Sequence, residues 1–186
     1  MAKVTLQGRL VSNIFKKKAQ EATGKEKYWV QVVLNDGEIE KLRKVKQEVL
    51  KEVFEDKIPQ GSGLSDYVER KGDDPEYDLT FNNYFVRSST DKPVKCYIKH
   101  SPKDFKQVTQ EEAPLHFYAG AYVAVSLDIY AKTKAEAANM GGKAFISSGV
   151  RGLLFVRDGE QLGDGNVTEE EFAGLQSELS EDDFDA

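Results

Sequence analysis

Lys27-Tyr28-Trp29-Val30-Gln31-Val32-Val33-Leu34-Asn35-Asp36-Gly37-Glu38-Ile39 holds a strand and the start of a helix side by side. Tyr28, Val30, Val32 and Leu34 alternate with more polar neighbours, the period of a strand with one face in a core. Asn35 then offers an N-cap, and Ile39, Leu42, Val45, Leu50, Val53 and Phe54 keep one helical face apolar, so a helix is expected from about Glu38 to Asp56. Upstream, Val4, Leu6, Leu10 and Ile14 alternate as well and make the antiparallel partner of the Tyr28 strand. The connection, Lys16-Lys17-Lys18-Ala19-Gln20-Glu21-Ala22-Thr23-Gly24-Lys25, is polar and basic and reads as an exposed hairpin loop.

Downstream, strands are expected near Tyr77 to Arg87, Val94 to Lys99, Ala121 to Lys132 and Lys143 to Arg157. Pro59 to Pro75 reads as a surface excursion, Ala135 to Gly142 as a small-residue loop, and Gly149 with Gly152 as the mark of a bulge or sharp bend. A strand pair, one helix and further strands make a compact, mainly β barrel.

Charge divides the chain. From Asp158 to Ala186 there are eleven carboxylates and no Lys or Arg, ending in Glu181-Asp182-Asp183-Phe184-Asp185-Ala186. The remaining 21 acids face 26 Lys and Arg, a body of about +5 inside a molecule of net charge −6. We therefore expect one folded domain over residues 1–158 and an acidic, disordered tail over 159–186, a pairing that suits polyanion binding contested by the tail. With one cysteine, Cys96, there is no internal disulfide. No long apolar run or signal peptide precedes the first strand, so a cytoplasmic location without membrane contact is expected.

The face opposite the expected core alternates rings with cations. It presents Lys27, Trp29 and Gln31 in one strand, Lys95, Tyr97 and Lys99 in another, and Tyr122, Ser126, Tyr130 and Lys132 in a third. Unpaired bases stack on flat rings and phosphates need cations, so this face is expected to hold single-stranded nucleic acid. Phe15, Lys16, Lys17, Lys18 and Lys25 extend it through the basic loop, and Lys143, Phe145 and Arg151 through the last strand. The same rings could instead fill a second small core or a subunit interface.

Catalytic chemistry finds little support. His100 and His116 with Cys96 lack a fourth ligand for zinc, and in Asp158-Gly159-Glu160-Gln161-Leu162 a leucine occupies a calcium-ligand position. The body acids are scattered, and no phosphate loop or nucleophile elbow occurs. Neither a metal nor a cofactor is expected, and an enzyme, in the form of a metal-dependent nuclease, ranks third behind a binding protein and an assembly module.

The Met1-Ala2-Lys3 to Phe15 opening, the basic loop, Tyr28-Trp29-Val30, one helix after the second strand and the Ser180-Glu181-Asp182-Asp183-Phe184-Asp185-Ala186 ending together resemble the single-stranded DNA-binding proteins of tailed bacteriophages. The resemblance covers the whole chain in organisation. It implies an OB-fold-like, five-stranded antiparallel barrel that is not an enzyme and binds single strands without reading sequence, in replication, recombination and repair in the host bacterial cytoplasm. It also implies that the tail, through Glu181, Asp182, Asp183, Phe184 and Asp185, modulates DNA binding and recruits a polymerase, helicase or primase. A homodimer is left open. The competing expectations are an assembly module with the aromatic face as a subunit interface, and an RNA-binding or annealing protein on the same fold.

Overall fold

The computed structural model describes residues 1–20, 23–74, 80 and 82–162. Five strands close a ring: β1 (Ala2–Leu10), β3 (Glu26–Leu34), β6 (Tyr84–Thr90), β9 (Tyr122–Lys132) and β10 (Ala144–Arg157). β1 pairs with β3 and β9, β3 with β6, and β9 with β10, all antiparallel. The ring closes where β6 meets β10 in parallel at Ser89 and Gly149, and there the Ser88 hydroxyl donates to the Ser148 carbonyl over 3.0 Å. This is the expected OB-like barrel, and its closing pair is parallel.

The alternating apolar residues fill the barrel. Leu6, Leu10, Val30, Val32, Val123, Val125, Leu127, Ile129, Ile146 and Leu153 are all buried in one core. A closed ring leaves its own strands few free edges, and the remaining edges are handled individually. β1 pairs with β3 only over Gly8–Leu10, so its earlier residues need other partners. Helix α1 (Asp36–Phe54) supplies them: Gln7 donates its backbone N–H to Glu38 Oε2 over 2.9 Å, and Lys41 Nζ donates to the Thr5 carbonyl over 2.6 Å. The helix starts as its cap requires, with the Asn35 side chain accepting from the Glu38 N–H at 2.9 Å.

Short strands decorate the ring. β2 (Lys17–Ala19) pairs with β3, so the basic loop carries a strand of its own. The excursion after Pro59 folds into β4 (Leu64–Asp66), parallel to β10, and β5 (Glu69–Lys71), antiparallel to β6, with Val68 buried between them. β7 (Cys96–Ser101) runs parallel to β10 at Leu153 and Leu154, and β8 (Asp104–Gln107), which local pattern did not reveal, completes a hairpin with β7. The strand expected from Tyr77 begins at Tyr84, and residues 75–79 and 81 lie outside the described residues.

The bulge expected in the last strand is present. The irregularities in β10 fall between Val150 and Gly152 and between Phe155 and Arg157, so the extra residues are Arg151, between the two glycines, and Val156. The body also runs past residue 158. Arg9 Nη2 donates to the Glu160 carbonyl at 2.9 Å, the Tyr118 hydroxyl to Asp158 Oδ1 at 2.8 Å, and the Leu162 N–H to the Ala119 carbonyl at 2.8 Å. Gly120 permits this seating: its φ is +111°, and a Cβ there would collide with the Glu160 carbonyl. The acidic ending, Glu181 to Asp185 included, lies outside the described residues.

Candidate nucleic-acid interface

The outer face of β3 carries the best-defined constellation. Trp29 and Gln31 stand opposite Ser89 and Arg87 of β6, and side chains directly opposite in an antiparallel pair share a face. The register therefore puts Arg87 against Trp29, with its guanidinium carbon 4.2 Å from the ring centroid, a cation–π contact. Trp29 Nε1 donates to the Lys18 carbonyl at 3.3 Å, tying the ring to the basic strand β2. Lys16, Lys17, Lys18 and Lys25 are exposed, and Lys17 Nζ lies 5.4 Å from the Tyr28 ring centroid. Phe15 is only partly buried and packs against the core. Lys27 pairs with Asp91 at 3.6 Å. The result is a half-buried, outward indole braced by Arg87 and bordered by cations.

A second group sits along β10. Lys95, just before β7, and Lys99 on it are exposed, and Tyr97 is half-buried against Gly152, where a Cβ would come within 3.2 Å of the ring. Cys96 points inward, and burial pushes its thiol up to about 12, leaving it protonated and inert. Lys132 and Lys143 are exposed near the turn between β9 and β10. Arg151 is held by Asp128, Nη1 to Oδ2 at 3.2 Å.

Two rings depart from the sequence expectation. Phe145 lies on the outer face, opposite Lys132, but it is 5% exposed because Tyr67 and Tyr130 cover it, with centroids at 5.7 Å and 6.4 Å. It fills a small secondary core, so it is not a surface ring. Tyr122 is outward but stands at the opposite end of β9 from Tyr130, between Arg157 at 3.7 Å and Arg9 at 5.6 Å from its centroid. Those guanidinium groups compete with a base for the ring. With the flanking backbone they line a cleft of about 490 Å³ that includes Gly8, Val33, Asn35 and Asn83. Sequence alone did not single out Arg9, Tyr67 or Phe105. Arg9 and Tyr67 acquire their partners from strands distant in the chain, and Phe105 sits on a strand of only four residues. Among the described residues, no group of three or more His, Cys, Asp or Glu side chains could hold a metal ion. No described helix is long and apolar enough to cross a membrane.

A five-stranded OB-like ring with an outward tryptophan, further rings and a border of lysines defines a nucleic-acid-binding barrel. The family model of the Enterobacter phage Enc34 single-stranded DNA-binding protein matches residues 3–184, and the chain belongs to that family, one of binding proteins rather than enzymes. The fold is similar to that of the single-stranded DNA-binding protein from bacteriophage Enc34 in complex with ssDNA, with a TM-score of 0.64, 13% identity and 87% of this chain and 88% of that chain covered. It is also similar to gp2.5, a single-stranded DNA-binding protein encoded by bacteriophage T7, with a TM-score of 0.56, 11% identity and coverage of 97% and 96%. None of the curated proteins matches this sequence. At these identities the structural likeness concerns the fold, and the family assignment rests on the sequence model.

Proposed function

We propose that this chain binds single-stranded DNA independently of sequence, stacking bases on Trp29 and tracking phosphates with Lys16, Lys17, Lys18, Lys25 and Lys27 beside it and with Lys95, Lys99, Lys132 and Lys143 along β10. The observation that carries the reading is Trp29, outward and half-buried, braced by Arg87 at 4.2 Å and tied to β2 through Lys18. Membership of the phage family supports it. A titration of Trp29 fluorescence with dT oligonucleotides, beside duplex of equal length and at low and high salt, tests it. The expected result is strong quenching by single strands alone, weakening steeply as salt rises. Absence of quenching would move the aromatic face to the assembly reading.

Within that reading the protein serves replication, recombination and repair in the cytoplasm of an infected bacterium. Its acidic tail competes with DNA for the cationic face and recruits a polymerase, helicase or primase through Phe184 and the flanking acids. A chain ending at Leu162 keeps the segment that docks on Ala119 and is expected to bind dT more tightly than the full chain at low salt. Equal or weaker binding would remove the competition.

Asp128 restrains one of the face's cations. Asp128→Asn is expected to free Arg151 for phosphate, raising low-salt affinity roughly threefold and steepening the salt dependence by up to about one counterion. A filter-binding series across salt concentrations reads both, and an unchanged slope would place Arg151 off the DNA path.

A further inference from the structure

Three segments abut one edge of β10 in succession, and each adds something to the same outer face. β4 runs beside Ala144–Ile146, β6 reaches Gly149, and β7 lies beside Leu153 and Leu154. Tyr67 follows β4 directly, donating its N–H to the Ile146 carbonyl at 3.0 Å. Its ring lies over Phe145, tilted by 59°, and remains 47% exposed. Phe145 is thus a floor that positions Tyr67. At the far end, Tyr97 rests on Gly152, and β8 sets Phe105 opposite Lys99. Lys99 and Tyr97 alternate onto one side of the hairpin, so Phe105 stands on the Tyr97 side, and it is 53% exposed.

The middle of this edge is open. Gly149 faces outward between Ser89 and Asp128, and a Cβ built on it meets nothing within 4 Å. Ser89 is in turn opposite Trp29, which places the indole two strands away, about 10 Å at ordinary strand spacing. A glycine within a strand gives up side-chain packing and lets another backbone come close. Among the described residues, no atom beyond its chain neighbours comes within 4 Å of that position. From Phe145 to Leu154 the edge spans roughly 30 Å at about 3.3 Å per residue, a length that suits the roughly 4 to 16 nucleotides an OB fold covers. Lys143 at one end and Lys95 and Lys99 at the other are exposed cations.

We propose that single-stranded DNA lies lengthwise along this edge of β10, with a base stacked on Tyr67 at one end, the backbone passing over Gly149 beside Trp29, and a base stacked on Phe105 at the other. This course rests on the single-stranded DNA reading above and assigns two stacking residues to it. A single ring exposed on a protein surface needs no explanation. Two on one face, at the ends of a bare track with cations at both ends, match what an extended polyanion with flat bases requires.

The test compares the full chain with Tyr67→Ala, Phe105→Ala, Gly149→Val and, as reference, Trp29→Ala, using labelled dT oligonucleotides from about 4 to about 20 nucleotides. Tyr67→Ala and Phe105→Ala are each expected to lower affinity for the long oligonucleotides about tenfold while changing the shortest much less. Gly149→Val has space for its side chain, so its melting temperature should match the parent while its affinity for long strands falls by a similar factor; Gly149→Ala serves if valine perturbs the melt. Should Trp29→Ala weaken binding while Tyr67→Ala or Phe105→Ala leaves every length bound as in the parent, the lengthwise course is overturned and the binding function stands. If Trp29→Ala also binds normally, the single-stranded DNA reading of this face fails with it.

Discussion

Replacing Trp29 by alanine is expected to lower affinity for dT oligonucleotides about tenfold or more at low salt, measured by anisotropy of labelled DNA because the fluorescent residue is gone. Stacking of one base on an aromatic ring contributes roughly 1 to 3 kcal/mol, and 1.4 kcal/mol is about tenfold. Trp29 is set to deliver such a contribution because its ring is already ordered. Arg87 lies 4.2 Å from its centroid, and Nε1 donates to the Lys18 carbonyl at 3.3 Å, so little freedom is lost when a base arrives. The slope of affinity against salt should stay near the parent value, since no cation is removed. The melting temperature should move by only a few degrees, because Trp29 lies on the outer face of β3 while Val30 and Val32 occupy the core. Trp29→Phe keeps a ring but loses the Nε1 link and should fall between the two. An alanine variant that binds like the parent would return the indole to a purely structural role.

Glu69→Gln is expected to cost about 3 kcal/mol of stability at neutral pH and to lose that effect in acid. Glu69 on β5 accepts from Arg43 Nη2 at 2.6 Å and Nε at 2.9 Å and from Lys46 Nζ at 2.8 Å, and Lys46 also pairs with Asp66. The Lys46 and Glu69 side chains are 10% and 11% exposed, so losing the Glu69 charge leaves Lys46 with Asp66 as its one carboxylate and takes the carboxylate from Arg43, where breaking a fully buried pair outright costs about 3 to 5 kcal/mol. Half-exposed Arg43 keeps the expected value at the lower end. Burial pushes the Glu69 carboxyl up, but the hydrogen bonds from Arg43 and Lys46 outweigh it and hold the group below its ordinary value. A carboxyl lowered by folding adds stability that is complete above its unfolded pKa of about 4.3 and is lost as pH falls through the folded value. Urea melts of parent and variant should therefore differ at about pH 7, and the gap should shrink as pH falls below the unfolded value and through the folded one. A gap undiminished by acid would assign the effect to packing. Because these pairs tie α1 to β4 and β5, the variant should also loosen the segment that carries Tyr67.

Local geometry explains how much of the fold and the candidate site is legible in the sequence. Val30 and Val32 inward with Trp29 and Gln31 outward, and Cys96 inward with Lys95 and Lys99 outward, follow from the two-residue period of a strand. The helix is legible from its apolar spacing and from Asn35, whose side chain does accept the Glu38 N–H. Where local pattern fails, a distant segment intervenes. Phe145 has the outward parity expected of it and is nevertheless covered, because β4 brings Tyr67 onto it from the excursion whose role the sequence does not reveal. Tyr122 is outward as expected, yet Arg9 and Arg157 hold its ring from strands at the two ends of the chain.

The amino-acid sequence by itself determined the strand faces, the helix with its cap, the basic body and the acidic ending, since each depends on residues within a few positions or on composition alone. Only the tertiary structure decided which cation braces Trp29, which ring covers Phe145, where β10 bulges and how far the body runs past Arg157. Those depend on which strands become neighbours and in what register. Closure of the barrel sets both, through pairings such as Ser89 with Gly149 between segments far apart in the chain, and no local period encodes them.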